Sequence, residues 1–332
     1  MTGRKGIVCA GTWILDVVHD VERWPEKSDL VHIRDQTAGV GGGPANVAVD
    51  LATLGAPYPV IPVGLIGEDA MGEEVLQLCH RAGLSTGRIA RTSQAATAHT
   101  HVMNVPGDSR TFFYHPGAND LLEQEMIDVE DLAAGGAKVF YLGYLNLLAR
   151  LDRIGADGRT GAAQLLSRAR EAGMLACLDL VSSQAQEYRD RVEATLPDVD
   201  VLFLNEVEAA RSTGIDISGP GDETAMASAA KALIDCGVRH SVILHSAEVT
   251  IWQGASGARV FRPETVPAER IVSPVGAGDA FAAGILHGFH EEWDAERAIA
   301  LAFRAAAACL GGRTATDGLE TLRGLLADQT AV

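Results

Sequence analysis

No stretch of about 18 or more uncharged apolar residues occurs in the 332-residue chain, so a transmembrane helix is not expected. Positive charge is scarce: 27 Lys and Arg stand against 44 Asp and Glu, a formal net charge of −17. A surface that negative repels phosphate backbones and anionic lipid, which argues against nucleic acid and membranes as partners. It still admits a small phosphorylated ligand, held by a local pocket of backbone N–H groups. The five cysteines (Cys9, Cys79, Cys177, Cys236 and Cys309) are an odd number with no C-x-x-C pair. Mostly set in apolar runs, they suit reduced, buried thiols and a cytoplasmic location better than a disulfide frame or a zinc site. Arg4 and Lys5 precede the apolar Ile7–Leu15, but Asp16, Asp20 and Glu22 follow at once with no small-residue cleavage site. This segment reads as a first strand, Ile7–Gly11, rather than a secretory leader. Two nucleotide motifs are also missing. No G-x-x-x-x-G-K-[ST] appears, which excludes a P-loop NTPase, and no G-x-G-x-x-G opens a helix after the first strand, which argues against a Rossmann dehydrogenase.

What is present is a core-forming composition, 47% apolar and 21% charged, with apolar segments alternating with helical patterns. Strand-like runs are Gly6–Gly11, Val60–Leu65, Val139–Leu142, Leu175–Leu180, Val201–Leu204 and Ser241–Leu244. Helical runs are Pro44–Leu54, Gly72–Ala82, Thr160–Ala172, Ser183–Leu196, Glu223–Cys236, Gly276–His290 and Ala295–Leu310. This alternation predicts βαβ units: an α/β fold with a doubly wound, mostly parallel sheet flanked by helices. Both faces of such a sheet are covered, so its strands are apolar without alternation. Two stretches break the rhythm. Val18–Thr37 is polar and lacks a helical period. Thr97–His115 alternates, and reads as two antiparallel strands joined by a turn at Pro106–Asp108. These insertions, at about 17–38 and 97–116, are expected to form a small β-strand lid on a single domain spanning residues 1–332. No internal repeat or linker divides the chain.

Three segments carry chemistry. In Ser273-Pro-Val-Gly-Ala-Gly-Asp279, the small residues Gly276, Ala277 and Gly278 open a helix, where unpaired N–H groups and the positive end of the helix dipole form an anion hole. Asp279 sets a carboxylate beside it, as phosphoryl transfer to a hydroxyl requires. An ordinary capping Asp is the alternative. In Gly41-Gly-Gly-Pro-Ala-Asn46, glycines lead into a helix with Pro44 in its first turn, and Asn46 offers an amide to a polar ligand; simple helix entry is the alternative. Third, Val201–Leu204 is followed by Asn205, Glu206 and Glu208 at the carboxyl end of a strand, where α/β ligand sites lie. Asn and Glu are hard oxygen donors suited to Mg²⁺ through water; a polar helix start is the alternative.

Together with Gly64-Leu-Ile-Gly-Glu-Asp-Ala-Met-Gly72 and Arg110–Asn119, these segments resemble, in order and over nearly the whole length, the PfkB/ribokinase family of carbohydrate kinases. The resemblance implies a ribokinase-like α/β domain with a β-lid, ATP and Mg²⁺ as cofactors, and a sugar-like hydroxyl as acceptor. It implies Asp279 as general base and Gly276, Ala277 and Gly278 as the anion hole. Asn205 and Glu208 would organise Mg²⁺ and phosphates, with Ser246 and Gly278 also on the nucleotide. The acceptor would meet Asp16, Gly42, Gly43 and Asn46, with Asn119 and Asp179 nearby.

Two departures stand out. Ser273 replaces the Asp that opens the family's last motif and helps bind a monovalent cation there; a neutral hydroxyl supplies less field, which argues against K⁺ activation. Ser246-Ala-Glu-Val249 replaces a Gly-x-x-Gly turn near the nucleotide, and Val249 tolerates positive φ poorly, so this turn must take another geometry. His99 and His101 share a strand face with no third metal ligand evident nearby; His99 or His101 is read as pointing from the lid into the acceptor pocket. The sequence therefore predicts a kinase acting on a sugar, sugar acid or nucleoside. A catalytically silent relative that binds a small ligand is the other reading. An open-edged lid strand also predicts a homodimer through the lid.

Overall fold

The apolar runs become strands because each is buried on both faces. A computed structural model describes residue 3 and residues 5–105 and 110–327. In chain order the strands are β1 (Ile7–Gly11), β2 (Ile14–Val21), β3 (Ile33–Gly41), β4 (Val60–Gly67), β5 (Ile89–Thr92), β6 (His99–Asn104), β7 (Thr111–His115), β8 (Val139–Leu145), β9 (Leu175–Leu180), β10 (Val201–Asn205), β11 (Ser241–His245), β12 (Thr250–Gly254) and β13 (Gly257–Phe261). The helices are α1 (Gly43–Leu54), α2 (Ala70–Arg81), α3 (Val129–Ala134), α4 (Gly161–Glu171), α5 (Tyr188–Glu193), α6 (Glu206–Thr213), α7 (Glu223–Asp235), α8 (Ala277–His290), α9 (Ala295–Cys309) and α10 (Leu322–Ala327).

Nine strands form one sheet in the order β13-β12-β11-β10-β9-β8-β1-β4-β5, parallel except for β12, which runs antiparallel to both β11 and β13. Alternate residues of a strand serve opposite cores. Val8, Ala10, Leu178 and Leu202 pack with Leu132, Leu165 and Leu233 of α3, α4 and α7. Ile7, Cys9, Cys177 and Phe203 pack with Leu51, Val75, Ile285 and Ile299 of α1, α2, α8 and α9. Strand order reverses at β1, which lies between β8 and β4, and the crevice at such a reversal is where α/β ligand sites form. Among the described residues no helix is long and apolar enough to cross a membrane.

Helices α8 and α9 pack backbone to backbone. A Cβ at Gly284 would stand 2.6 Å from the Ala302 Cα, which cannot swing aside as a flexible side chain could. Gly284→Ala is expected to cost about 1–3 kcal/mol by overpacking. A lower urea midpoint at unchanged slope would show it.

The chain leaves the main sheet after β1. Trp13 is fully buried and its Nε1 donates to the Val63 carbonyl at 2.9 Å. The chain then enters a second sheet, ordered β3-β2-β6-β7, in which β2 and β6 run parallel while β2–β3 and β6–β7 are antiparallel. The turn expected at Pro106–Asp108 lies outside the described residues.

Two expectations need correction. The helix expected over Ser183–Leu196 is only Tyr188–Glu193. Tertiary bonds hold the preceding stretch open: Ser182 Oγ donates to Glu208 at 2.9 Å, and Arg211 Nη1 donates to the Ser183 carbonyl at 2.7 Å. Of the thiols expected to be buried, Cys236 is exposed just beyond α7, whereas Cys9, Cys79, Cys177 and Cys309 are buried.

Candidate active site

The carboxyl ends of β1, β8, β9, β10 and β11 share one edge of the main sheet, and the N-termini of α1 and α8 approach it. Helix α8 begins after Gly276, whose φ of 86° lies in the left-handed region. A Cβ there would fall inside contact distance of the Ala315 carbonyl, so both conformation and space require glycine. Among the described residues no side chain caps this N-terminus, which leaves first-turn N–H groups of α8 to an anion.

Asp279 lies in that first turn and is 4% exposed. Asn46 Nδ2 donates to its Oδ2 at 2.8 Å, and Tyr144 OH lies 3.0 Å from both of its carboxylate oxygens. Burial pushes the Asp279 carboxyl up to about 7, against the downward pull of these two donors. A carboxyl that titrates near neutrality and is held by donors is suited to accept a proton. Other buried carboxyls crowd it. Burial, and then the charge of Asp279, drives Asp179 well above the ordinary carboxylate range; Tyr141 OH donates to its Oδ2 at 2.7 Å. Burial raises Asp16 to about 6, opposed by Thr100 and the Arg110 guanidinium.

The glycine run makes room for side chains of this site. A Cβ on Gly41 would collide with the Asp16 carboxylate, and one on Gly43 would stand 2.7 Å from the Tyr144 ring. Asn46, expected on the acceptor, donates from its amide nitrogen to Asp279, and among the described residues its buried Oδ1 has no partner. Tyr144 is a residue that sequence reasoning missed. The register of β8 against β9 shifts between Leu142 and Leu145, and Tyr144 sits in that irregularity at φ 68°. Such bulges re-aim side chains next to active sites. The only signal in the sequence was a polar-tipped aromatic at the end of an apolar strand.

Asn205 and Glu208 take the form of the polar helix start. They form a capping box at the start of α6: Asn205 Oδ1 accepts from Glu208 N at 2.9 Å, and Glu208 Oε2 accepts from Asn205 N at 2.8 Å. Asn205 Nδ2 and Ser182 Oγ both donate to Glu208 Oε1. Burial raises the Glu208 carboxyl. Ser246 Oγ accepts from Val249 N within its own turn at 3.0 Å and donates to the Pro220 carbonyl of the loop before α7. Val249 is buried and is not among the described residues of positive φ, as its β-branched side chain requires. Ser273 is buried and its Oγ accepts from Val275 N at 3.2 Å.

Asn119 is fully buried; its Oδ1 accepts from Trp13 N at 3.1 Å and its Nδ2 faces Tyr114 OH at 3.4 Å. It braces the junction between the two sheets. His99 and His101 do not point into the acceptor pocket. Asp16 pairs in register with Thr100, so the period of two places both histidines on the opposite face. There His101 Nδ1 meets His19 Nε2 at 2.9 Å, and the His99 ring lies beside that of His115.

The fold and these motifs agree with known proteins. The model of the pfkB family carbohydrate kinases matches residues 4–322. The chain is 28% identical over 221 residues to fructokinase-1 of Zea mays, spanning 64% of each chain. It is 22% identical over 295 residues to a 5-dehydro-2-deoxygluconokinase of Clostridium perfringens, covering 86% of this chain and 82% of that one. Among solved structures, an Arabidopsis thaliana ribokinase complexed with ribose and ATP superposes with a TM-score of 0.80, at 22% identity and 98% coverage of both chains. A glycine-opened helix carrying a buried carboxylate, on a ribokinase-like fold that the family model spans almost end to end, places this chain in the pfkB family of carbohydrate kinases.

Proposed function

We propose that this protein transfers the γ-phosphoryl group of ATP to a hydroxyl of a sugar or sugar-like small molecule. The observation that carries this reading is the Asp279 carboxylate, buried in the first turn of an uncapped helix and held by Asn46 and Tyr144. The acceptor oxygen attacks the γ-phosphorus while Asp279 takes the hydroxyl proton; the bond to the β-phosphate oxygen breaks and ADP leaves. The α8 N–H groups hold the charge that develops on the phosphoryl oxygens. The second sheet acts as a lid that excludes water, a competing acceptor. Asp16 faces the acceptor, with Gly42 and Gly43 beneath it, and Asp179 feels the charges of both the base and Glu208.

Mg²⁺ fits the Asn205–Glu208 pair through water. Each Glu208 oxygen already accepts at least one protein donor, so the pair reaches the ion's hydration shell more readily than the ion itself. A bound Mg²⁺ offsets charge on the transferring phosphates. Ser273 bonds its own loop through a neutral hydroxyl, which supports catalysis without a monovalent cation. A cytoplasmic location rests on the four buried free thiols.

A homodimer through the lid follows from its two open edges, β3 and β7, and from Ile33, Phe112 and Phe113, each at least 50% exposed. Sedimentation should give a dimer for the parent and a monomer for Phe113→Asp.

The Ser246 hydroxyl, already engaged with the Pro220 carbonyl and the Val249 amide, favours a second reading: a silent relative that binds a small ligand. The deciding experiment is ADP release over a panel of pentoses, hexoses, sugar acids and nucleosides with Mg-ATP. Release dependent on one acceptor establishes the kinase and its substrate class. Silence, together with no thermal stabilisation by nucleotide, favours the silent relative.

A further inference from the structure

We infer that Tyr144 is a positioning residue of phosphoryl transfer, its phenolic hydroxyl holding the Asp279 carboxylate as an acceptor aimed at the substrate hydroxyl. The inference rests on the kinase reading above and adds a residue to it.

Four observations converge on Tyr144. Its hydroxyl lies 3.0 Å from both Asp279 oxygens, within the reach of a charge-assisted hydrogen bond. Its backbone sits at φ 68°, a genuine outlier for a bulky residue, and strain of that kind persists where the surroundings over-determine it, typically at functional sites. The β8 irregularity that turns it inward is local to residues 142–145. The ring occupies space that only a glycine at position 43 leaves open. A ring needed only to fill the core would require neither the strained backbone nor the polar tip.

The phenol is a donor throughout the useful pH range. Burial raises it well above its ordinary value, and the nearby Asp279 and Asp179 charges raise it further. Donation to a carboxylate favours the charged form. The other groups that act electrostatically on Asp279 or titrate beside it are Asp16 on β2, Asp50 on α1, Tyr141 on β8, Asp179 on β9, Glu208 on α6 and Cys309 on α9. The carboxyls among them resist ionisation of Asp279, and the tyrosine and the thiol are themselves raised by burial. The His245 ring, packed near Gly278, is pushed down to about 4 by burial and stays neutral. Besides the N-terminus of α8, Asn46 and Tyr144 are therefore the side chains that favour the ionised base.

The sign of the effect follows. Asp279 works unprotonated, so activity falls as pH drops through its titration near 7. Removing the phenolic donor makes the carboxyl hold its proton more tightly, which moves this acid limb up by about one pH unit, the size of one hydrogen bond to a charged group.

The experiment measures kcat/KM for the acceptor from pH 5.5 to 9.5 in the parent and in Tyr144→Phe, with Asp279→Asn alongside. In parallel, carbon-13 NMR of the Asp279 carboxyl is titrated in the parent and in Tyr144→Phe. The expected result is a deficit of about 10-fold below the parent's midpoint that nearly vanishes at high pH, with the NMR midpoint displaced upward by the same amount. A uniform loss at every pH would make the phenol merely structural. An unchanged profile with a lower KM would make it an occupant of the acceptor's place. Either result, or an unmoved NMR midpoint, overturns the inference. No turnover by the parent on any acceptor would instead fail the kinase reading and with it the role in transfer, while the NMR midpoint would still decide whether the phenol holds the carboxylate. Should Tyr144→Phe not fold, Gly43→Ala displaces the ring with the tyrosine retained, and the same shift is expected.

Discussion

Asp279→Asn is expected to fold as the parent does and to lose about 10²–10⁴-fold in kcat, the usual worth of a general base. The substitution keeps the shape of a side chain that is 4% exposed and removes its capacity to take a proton. Nucleotide should still stabilise the variant against heat, because the N–H groups of α8 are untouched. Steady-state ADP release and a thermal melt with nucleotide separate the two properties. Turnover comparable to the parent would remove Asp279 from the role of base. Loss of both turnover and nucleotide stabilisation would show that the carboxylate shapes the anion hole instead.

Gly276→Ala should fail in the opposite order, through the anion hole. Glycine is required there twice over: its φ is 86°, and a Cβ would press on the Ala315 carbonyl, which is backbone and cannot rotate away. The first turn of α8 must shift, and with it the N–H groups that face the phosphate. Misplacing such donors costs about 10²–10³-fold in kcat. Here the ground-state phosphates meet the same donors, so nucleotide stabilisation in the melt should fall as well. The Asp279 side chain is chemically unchanged, so the acid limb of any residual activity should stay near pH 7. Full activity and full stabilisation in Gly276→Ala would show that this turn does not hold phosphate.

Some of this site was legible early because its parts are neighbours in the chain. Gly276, Gly278 and Asp279 fall within four residues, and a glycine break followed by an acid announces a helix start whatever the remaining fold does. Asn205 and Glu208 are three apart at the junction of strand and helix, so their pairing is likewise local. The helix expected over Ser183–Leu196 shows the limit of local reading: its composition suited a helix, but Glu208 and Arg211, distant in sequence, claim Ser182 and the Ser183 carbonyl. The β12–β13 hairpin was missed because it lies at an edge, where one flank is open and the apolar signal weakens.

By itself the sequence determined the α/β alternation, the doubly wound sheet and the glycine-opened start of α8, because burial on both faces, helical period and capping chemistry act over a few residues. Only the tertiary structure decided what surrounds the base. Asn46 reaches Asp279 across 233 positions and Tyr144 across 135. No pattern along the chain encodes such distances. The tertiary structure also decided that Asp279 titrates near neutrality, since that depends on how completely the packed layers exclude water from its carboxylate and on which donors those layers bring against it.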